Sequence, residues 1–189
     1  PGWAHGSGIR WAVSPRQPGS SIKPLTYVAA FEKGWTPSTL IWDVASEFPP
    51  SGNPDDPRDP YKPVNYDGKF HGPVLLRDAL ANSYNVPAVK ALNFVGIYDN
   101  PETPQKEGLV EFARRMGIES LNRDDYGLSL TLGGGEVTLL ELTRAFSIFA
   151  NNGSMVPSVA ITKITDFQGN LVFEHTPEPG HQVIRAEHA

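Results

Sequence analysis

The chain has no cysteine in its 189 residues, which excludes disulfides and thiolate metal sites. That fits an extracytoplasmic bacterial protein without demanding one. No run of about 18 apolar residues occurs, so neither a signal peptide nor a membrane span is predicted. No basic run stands out, and a net charge of −5 argues against a nucleic-acid partner. The five histidines (His5, His71, His175, His181, His188) lack the paired spacing of metal ligands, so no metal site is expected. Glycine and proline, by contrast, are abundant at 18 each, mostly between residues 49 and 73 and near the ends, and read as long ordered loops. With 39% hydrophobic residues the chain can bury one ordinary domain core. It opens and stops in loop-like sequence, so residues 1–189 read as a single partial domain of a longer protein.

The most informative stretch is Arg16-Gln17-Pro18-Gly19-Ser20-Ser21-Ile22-Lys23-Pro24. It places Ser20 at the start of a helix and Lys23 one turn further on, on the same face, within reach of the serine hydroxyl. A serine hydroxyl becomes a good nucleophile when a neutral lysine takes its proton. Free N–H groups at a helix N-terminus stabilise negative charge beside it. Bare Ser-x-x-Lys also suits a helix-capping serine with a solvated lysine. Here, however, Pro18-Gly19 makes a sharp turn, and Leu25-Thr26-Tyr27-Val28-Ala29-Ala30-Phe31 is an apolar helix ending near Gly34. So apolar a helix is buried, and desolvation at its first turn lowers a lysine pKa.

The remaining pattern is mixed α+β, mostly helical, without repeats. Residues 1–19 read as an extended or looped lead-in, 20–33 as helix, and 37–72 as loop with a short strand at 41–43. Two helices follow at 76–80 and 87–92, broken at Ser83-Tyr84-Asn85, with Pro87 suited to a first helical position. Further helices are predicted at 108–116, stopped by Gly117, and at 138–151, stopped by Asn152-Gly153. A β-hairpin is predicted from 160–165 and 171–173 around a turn at 166–170.

Ser83 and Asn85 form the second candidate site element. A turn between two buried helices can aim a hydroxyl and a carboxamide into a cleft, to relay a proton and to hold a peptide. Serine and asparagine are equally at home as plain turn residues. A second match, Ser51-Gly52-Asn53, lacks flanking helices and is set aside. Gly133-Gly134-Gly135 lacks the Lys-Ser/Thr of a phosphate loop and reads as a turn. Trp3, Trp11, Trp35 and Trp42 read as core and loop packing in preference to a glycan groove.

These residues carry a resemblance. The chain resembles the penicillin-binding transpeptidase domain of class A, bifunctional peptidoglycan synthases. The matching blocks are residues 16–24; Pro63-Val64-Asn65-Tyr66-Asp67; Leu76-Arg77-Asp78-Ala79-Leu80 with Ser83-Tyr84-Asn85-Val86-Pro87-Ala88-Val89; Leu132-Gly133-Gly134 with Glu136-Val137-Thr138 and Glu141-Leu142-Thr143; and Phe149-Ala150-Asn151-Asn152-Gly153. The resemblance implies the penicillin-binding/serine β-lactamase-like fold, truncated, with C-terminal sheet strands missing. It implies Ser20 as nucleophile towards D-Ala-D-Ala stem peptides, Lys23 as its base, Ser83 as proton relay and Asn85 as the group holding peptide and lysine. Peptidoglycan stem peptides would be substrates, β-lactams covalent inhibitors, and no cofactor is implied. The implied location is the extracytoplasmic face of the bacterial cytoplasmic membrane, with an anchor preceding residue 1.

One departure matters. The family's Lys-Thr-Gly or Lys-Ser-Gly motif is absent, and Lys106-Glu107-Gly108 precedes a helix and is out of order. That strand supplies an oxyanion-hole donor, and losing one such donor costs about a hundred- to a thousandfold in rate. The 189-residue chain alone is therefore expected to be nearly inactive. Two rival readings stand: a serine β-lactamase, with Glu136 or Glu141 as water-activating carboxylate, and a non-catalytic module that binds muropeptides.

Overall fold

The computed structural model describes residues 7–102 and 106–189. Trp3 and His5 lie outside the described residues. The lead-in is not extended throughout: Ser7–Val13 form a short helix, α1. Arg16 then stacks its guanidinium over Trp11 at 4.1 Å and pairs backbone to backbone with Val137.

Pro18-Gly19 opens a 3-10 turn, Gly19–Ile22, which runs directly into the helix Lys23–Glu32 (α2). Apolar residues on every side of α2 dictate full burial, and residues 25–30 are all buried. The predicted single helix is thus a tight turn followed by an α-helix, because Pro24 at the second α position has no N–H to continue the ladder backwards.

Strand β1, Leu40–Asp43, pairs antiparallel with β2, Gly72–Leu75, in the register Leu40↔Leu75 to Asp43↔Gly72. Period-two alternation turns Ile41 and Asp43 inward, both buried. Strand β2 leads straight into α3, Leu76–Ala81, and after the Ser83 turn comes α4, Asn85–Val95. Pro87 is therefore the third helical residue instead of the first. Helix α5, Leu109–Arg115, and helix α6, Leu139–Ala150, follow as predicted, with an unpredicted 3-10 turn at Leu128–Leu132 between them. The hairpin is β4, Lys163–Thr165, against β5, Leu171–Glu174; β3, Ser154–Met155, pairs with β6, His181–Gln182.

The main core gathers α2, α4, α5 and the 128–132 turn around Leu25, Val89, Leu92, Phe112 and Leu130. A smaller core of Tyr27, Ile41, Leu76, Ala79, Ala88 and Ala91 fixes the β1–β2 pair and α3 to the other side of α2 and α4. Tryptophan packing is only partly as predicted. Trp35 is half-buried and stacks on Phe94 at 4.5 Å, but Trp11 and Trp42 are 58% and 56% exposed. Trp42 occupies an outward position of β1, which puts its ring in solvent.

Candidate active site

Three of the four predicted site residues converge. Lys23 is completely buried, yet its side chain ends on the Ser83–Asn85 turn. Its Nζ donates to the Ser83 carbonyl at 2.5 Å, the Ser83 hydroxyl at 3.1 Å, the Tyr84 carbonyl at 3.2 Å and Asn85 Oδ1 at 2.8 Å. All four acceptors are neutral oxygens, with no carboxylate among them. Burial thus dominates and lowers the ammonium pKa to about 8. This is the shift expected from a lysine at the foot of a buried helix.

Ser20 stands apart. It is exposed on the 3-10 turn, and among the described residues its hydroxyl makes no hydrogen bond, to Lys23 or to any other group. The i, i+3 spacing brings Ser20 and Lys23 to one turn, as predicted, but the lysine head is hydrogen-bonded to four acceptors on the facing turn and not to the serine hydroxyl. The Ser20 turn is itself pinned from the 128–137 segment. A Cβ on Gly133 (φ +96°) would sit 2.4 Å from the Gly19 nitrogen, so only glycine lets the two turns meet. Beneath them the hydroxyls of Thr26 and Thr131, both buried, share a 2.8 Å hydrogen bond. An apolar groove of about 300 Å³ runs beside the turn, lined by Trp11, Arg16, Pro18, Ser21, Val137 and Leu139.

Ser83 has an unusual backbone for its residue type. Helix α3 ends in a Schellman motif: Tyr84 N–H donates to Ala79 O at 2.9 Å and Ser83 N–H to Leu80 O at 3.0 Å. Helices α2 and α5 close the same way with Gly34 and Gly117 in the left-handed position. In α3 that position belongs to Ser83, at φ +54°. A non-glycine residue there costs about 1–2 kcal/mol. What the serine contributes in return is a hydroxyl and a carbonyl that both face Lys23.

Asn85 is clamped from outside its own helix. Tyr84, which precedes α4, supplies no side-chain cap. Asn65 does so instead, from the loop between β1 and β2: its Oδ1 accepts from Asn85 N–H at 2.7 Å and Val86 N–H at 3.3 Å. The Asn85 carboxamide donates to Val64 O at 2.8 Å while its oxygen faces Lys23. Behind Asn65 lies Asp43, fully buried, accepting from Asn65 Nδ2 at 2.8 and 3.0 Å and from His71 Nδ1 at 2.7 Å. The hydrogen bond to Asp43 is the main force raising the His71 pKa, with Asp67 adding to it. The His71 ring stacks on Tyr84 at 4.0 Å. Sequence reasoning gave Asn65 no role and weighed His71 only as a metal ligand. Asn65 lies 20 residues from Asn85 and 22 from Asp43, so no local spacing betrays the link.

The carboxylate that a hydrolase would need is engaged elsewhere. Glu141 is bound by Ser120 and by the backbone N–H groups of Glu119 and Ser120, and it closes a capping box with Thr138 at the start of α6. Burial opposes its ionisation, but hydrogen bonds from Ser120, Thr138 and Glu119 win and hold its pKa below the usual range. Glu136 is exposed.

Residues 8–189 match the penicillin binding protein transpeptidase domain. The chain belongs to that family. Penicillin-binding protein 1A of Aquifex aeolicus is 40% identical over 165 residues, covering 86% of this chain and 20% of the relative. The crystal structure of penicillin-binding protein 1A from Haemophilus influenzae superposes with a TM-score of 0.76 at 31% identity, over 91% of this chain and 24% of the other. PonA1 from Mycobacterium tuberculosis, solved with penicillin V, shares the fold at 20% identity and a TM-score of 0.71, over 95% of this chain and 46% of the other. The chain thus spans about a fifth of the length of the curated relative, and the mixed helical architecture with small sheets is that of the transpeptidase domain.

Proposed function

We propose that the chain carries the nucleophilic half of a serine D,D-transpeptidase site, in a class A peptidoglycan synthase of the bacterial cell envelope. One observation carries this reading: a buried lysine with its pKa lowered to about 8, held on Ser83 and Asn85. At pH 7 roughly one such lysine in ten is neutral, enough for a general base.

Ser20 Oγ attacks the carbonyl of the penultimate D-alanine of a stem peptide while Lys23 takes its proton. The Ser20–Lys23 hydrogen bond forms as the donor peptide fills the site, since catalytic contacts tighten in the substrate complex. Collapse of the tetrahedral intermediate breaks the peptide C–N bond. The proton passes through Ser83 to the departing D-alanine, and the Asn85 carboxamide holds the peptide. An amine from a neighbouring stem then takes the acyl group, and Ser20 recovers its proton.

β-Lactams mimic the D-Ala-D-Ala terminus and acylate the same serine; the penicillin V complex of PonA1 supports this for the fold. Engagement of Glu141 in a helix cap favours transfer over hydrolysis. The sequence holds no Lys-Thr-Gly, and we infer that the 189-residue chain alone, lacking that strand, turns over little or no D-Ala-D-Ala donor.

The test is intact mass of a full-length protein containing this sequence, followed for hours with a penicillin and mapped by peptide. A persistent adduct on Ser20, absent in Ser20→Ala, is expected. A transient adduct with hydrolysed drug accumulating identifies a β-lactamase, and no adduct a non-catalytic module.

A further inference from the structure

We propose that Asn65 is a positioning residue for acyl transfer, setting Asn85 and through it Lys23. The inference rests on the reading above. Asn65 is 3% exposed, and every polar atom of its side chain is committed. Its nitrogen faces three acceptor oxygens, two of Asp43 and one of Lys69, the last at 2.8 Å. Its oxygen faces two backbone donors at the start of α4. Only one orientation of the amide satisfies both sides, so Asp43 dictates where the Asn65 oxygen points.

That oxygen takes both N–H groups that α4 offers ahead of Pro87, which has none. The cap thereby fixes the first turn of α4 at the residue whose carboxamide accepts from Lys23. Val64, the neighbour of Asn65, grips the same carboxamide through its carbonyl, so one short loop holds Asn85 by backbone and side chain together. The chain of contacts Asp43–Asn65–Asn85–Lys23 ties a strand, a loop and two helices to one ammonium. Among the described residues the Asn65 side chain hydrogen-bonds to neither Ser20 nor Lys23, so its effect on the reaction passes through Asn85.

Stopped-flow acylation of the full-length protein by a fluorescent penicillin tests this. Asn65→Ala is expected to lower the acylation rate constant at least about tenfold. In an Asn85→Ala background the same change is expected to cost less than about twofold, because coupled residues are non-additive. Equal losses in both backgrounds, or no loss in either, overturn the proposal.

Should Asn65→Ala not fold, Asn65→Asp keeps the acceptor for α4 but sets a second carboxylate against Asp43. One shared proton restores the donor. Asp43 also faces His71 and feels Lys90 and Tyr27, and His71 faces Asp67, all unchanged in this variant. The rate of Asn65→Asp relative to unmodified protein is expected to climb as pH falls, and a flat ratio overturns the proposal. If the unmodified protein forms no Ser20 adduct, the proposed function fails and this inference with it. Normal acylation with unaffected Asn65 variants removes this inference alone.

Discussion

Lys23 Nζ and Ser83 meet through two contacts, 2.5 Å to the carbonyl and 3.1 Å to the hydroxyl, across 60 residues of chain. Ser83 presents both groups from a left-handed backbone, φ +54°, at the end of α3.

Substitution at Ser83 should separate stability from chemistry. Ser83→Gly relieves the left-handed strain and is expected to raise stability by about 1 kcal/mol. The same variant loses the hydroxyl proposed as proton relay, and acylation by penicillin should fall about a hundredfold or more. Denaturant melts and stopped-flow acylation on one preparation check both; a fall in stability would contradict the backbone assignment.

The base assignment makes a pH profile. With a pKa of about 8, the neutral fraction of Lys23 grows roughly tenfold from pH 6 to 7 and levels off above 8. The acylation rate constant should follow that curve, and a flat profile from pH 6 to 9 would remove Lys23 as base. Lys23→Arg should abolish acylation, because guanidinium stays protonated. Complete burial of Lys23 means that this variant should also lose stability, since the larger, permanently charged group has no solvent to reach.

Stability should carry the same signature. The folded pKa of about 8 lies below the ordinary 10.5, so between these values the unfolded chain binds the extra proton and stability rises with pH. The gain from pH 8 to 10 is about 2 kcal/mol. It should appear as the difference between the unmodified protein and Lys23→Met in urea melts at each pH. Above pH 10 the buried Tyr27 acts the other way, because its raised pKa keeps the folded state protonated after the unfolded chain has ionised.

Gly133→Ala tests the contact that seats the Ser20 turn. Its Cβ would meet the Gly19 backbone at 2.4 Å, with no flexible side chain to yield. A loss of about 2 kcal/mol or more in stability is expected, together with slower acylation as the Ser20 turn moves. Unchanged melting and unchanged acylation would show that the two turns are free to separate.

At α6 the expectation is the reverse. Thr138→Ala removes the capping box and should lower stability by about 1 kcal/mol without altering the lifetime of the penicillin adduct. Glu141→Gln should likewise leave that lifetime unchanged. A markedly longer-lived adduct in Glu141→Gln would mark Glu141 as the water-activating base of a hydrolase.

Much of the frame was legible without coordinates. Local chemistry determined the all-apolar helix after Pro18-Gly19, the break at Ser83-Tyr84-Asn85, the stops at Gly117 and Gly153, and the 160–173 hairpin. Each depends on residues within one or two turns of one another, where propensity and periodicity act directly. Desolvation of Lys23 was also implied, because the first turn of so apolar a helix lies at the edge of a core, whereas its complete burial was not. The sequence alone paired Ser20 with Lys23 by spacing, and spacing places two residues on one face without saying which way a long side chain turns. Tertiary packing is what sends Lys23 to Ser83 and Asn85, where its head meets four oxygens. It alone brought Asn65 to the start of α4 and Asp43 behind it, because polar satisfaction of a buried helix end is settled by whichever distant group the packed core delivers there.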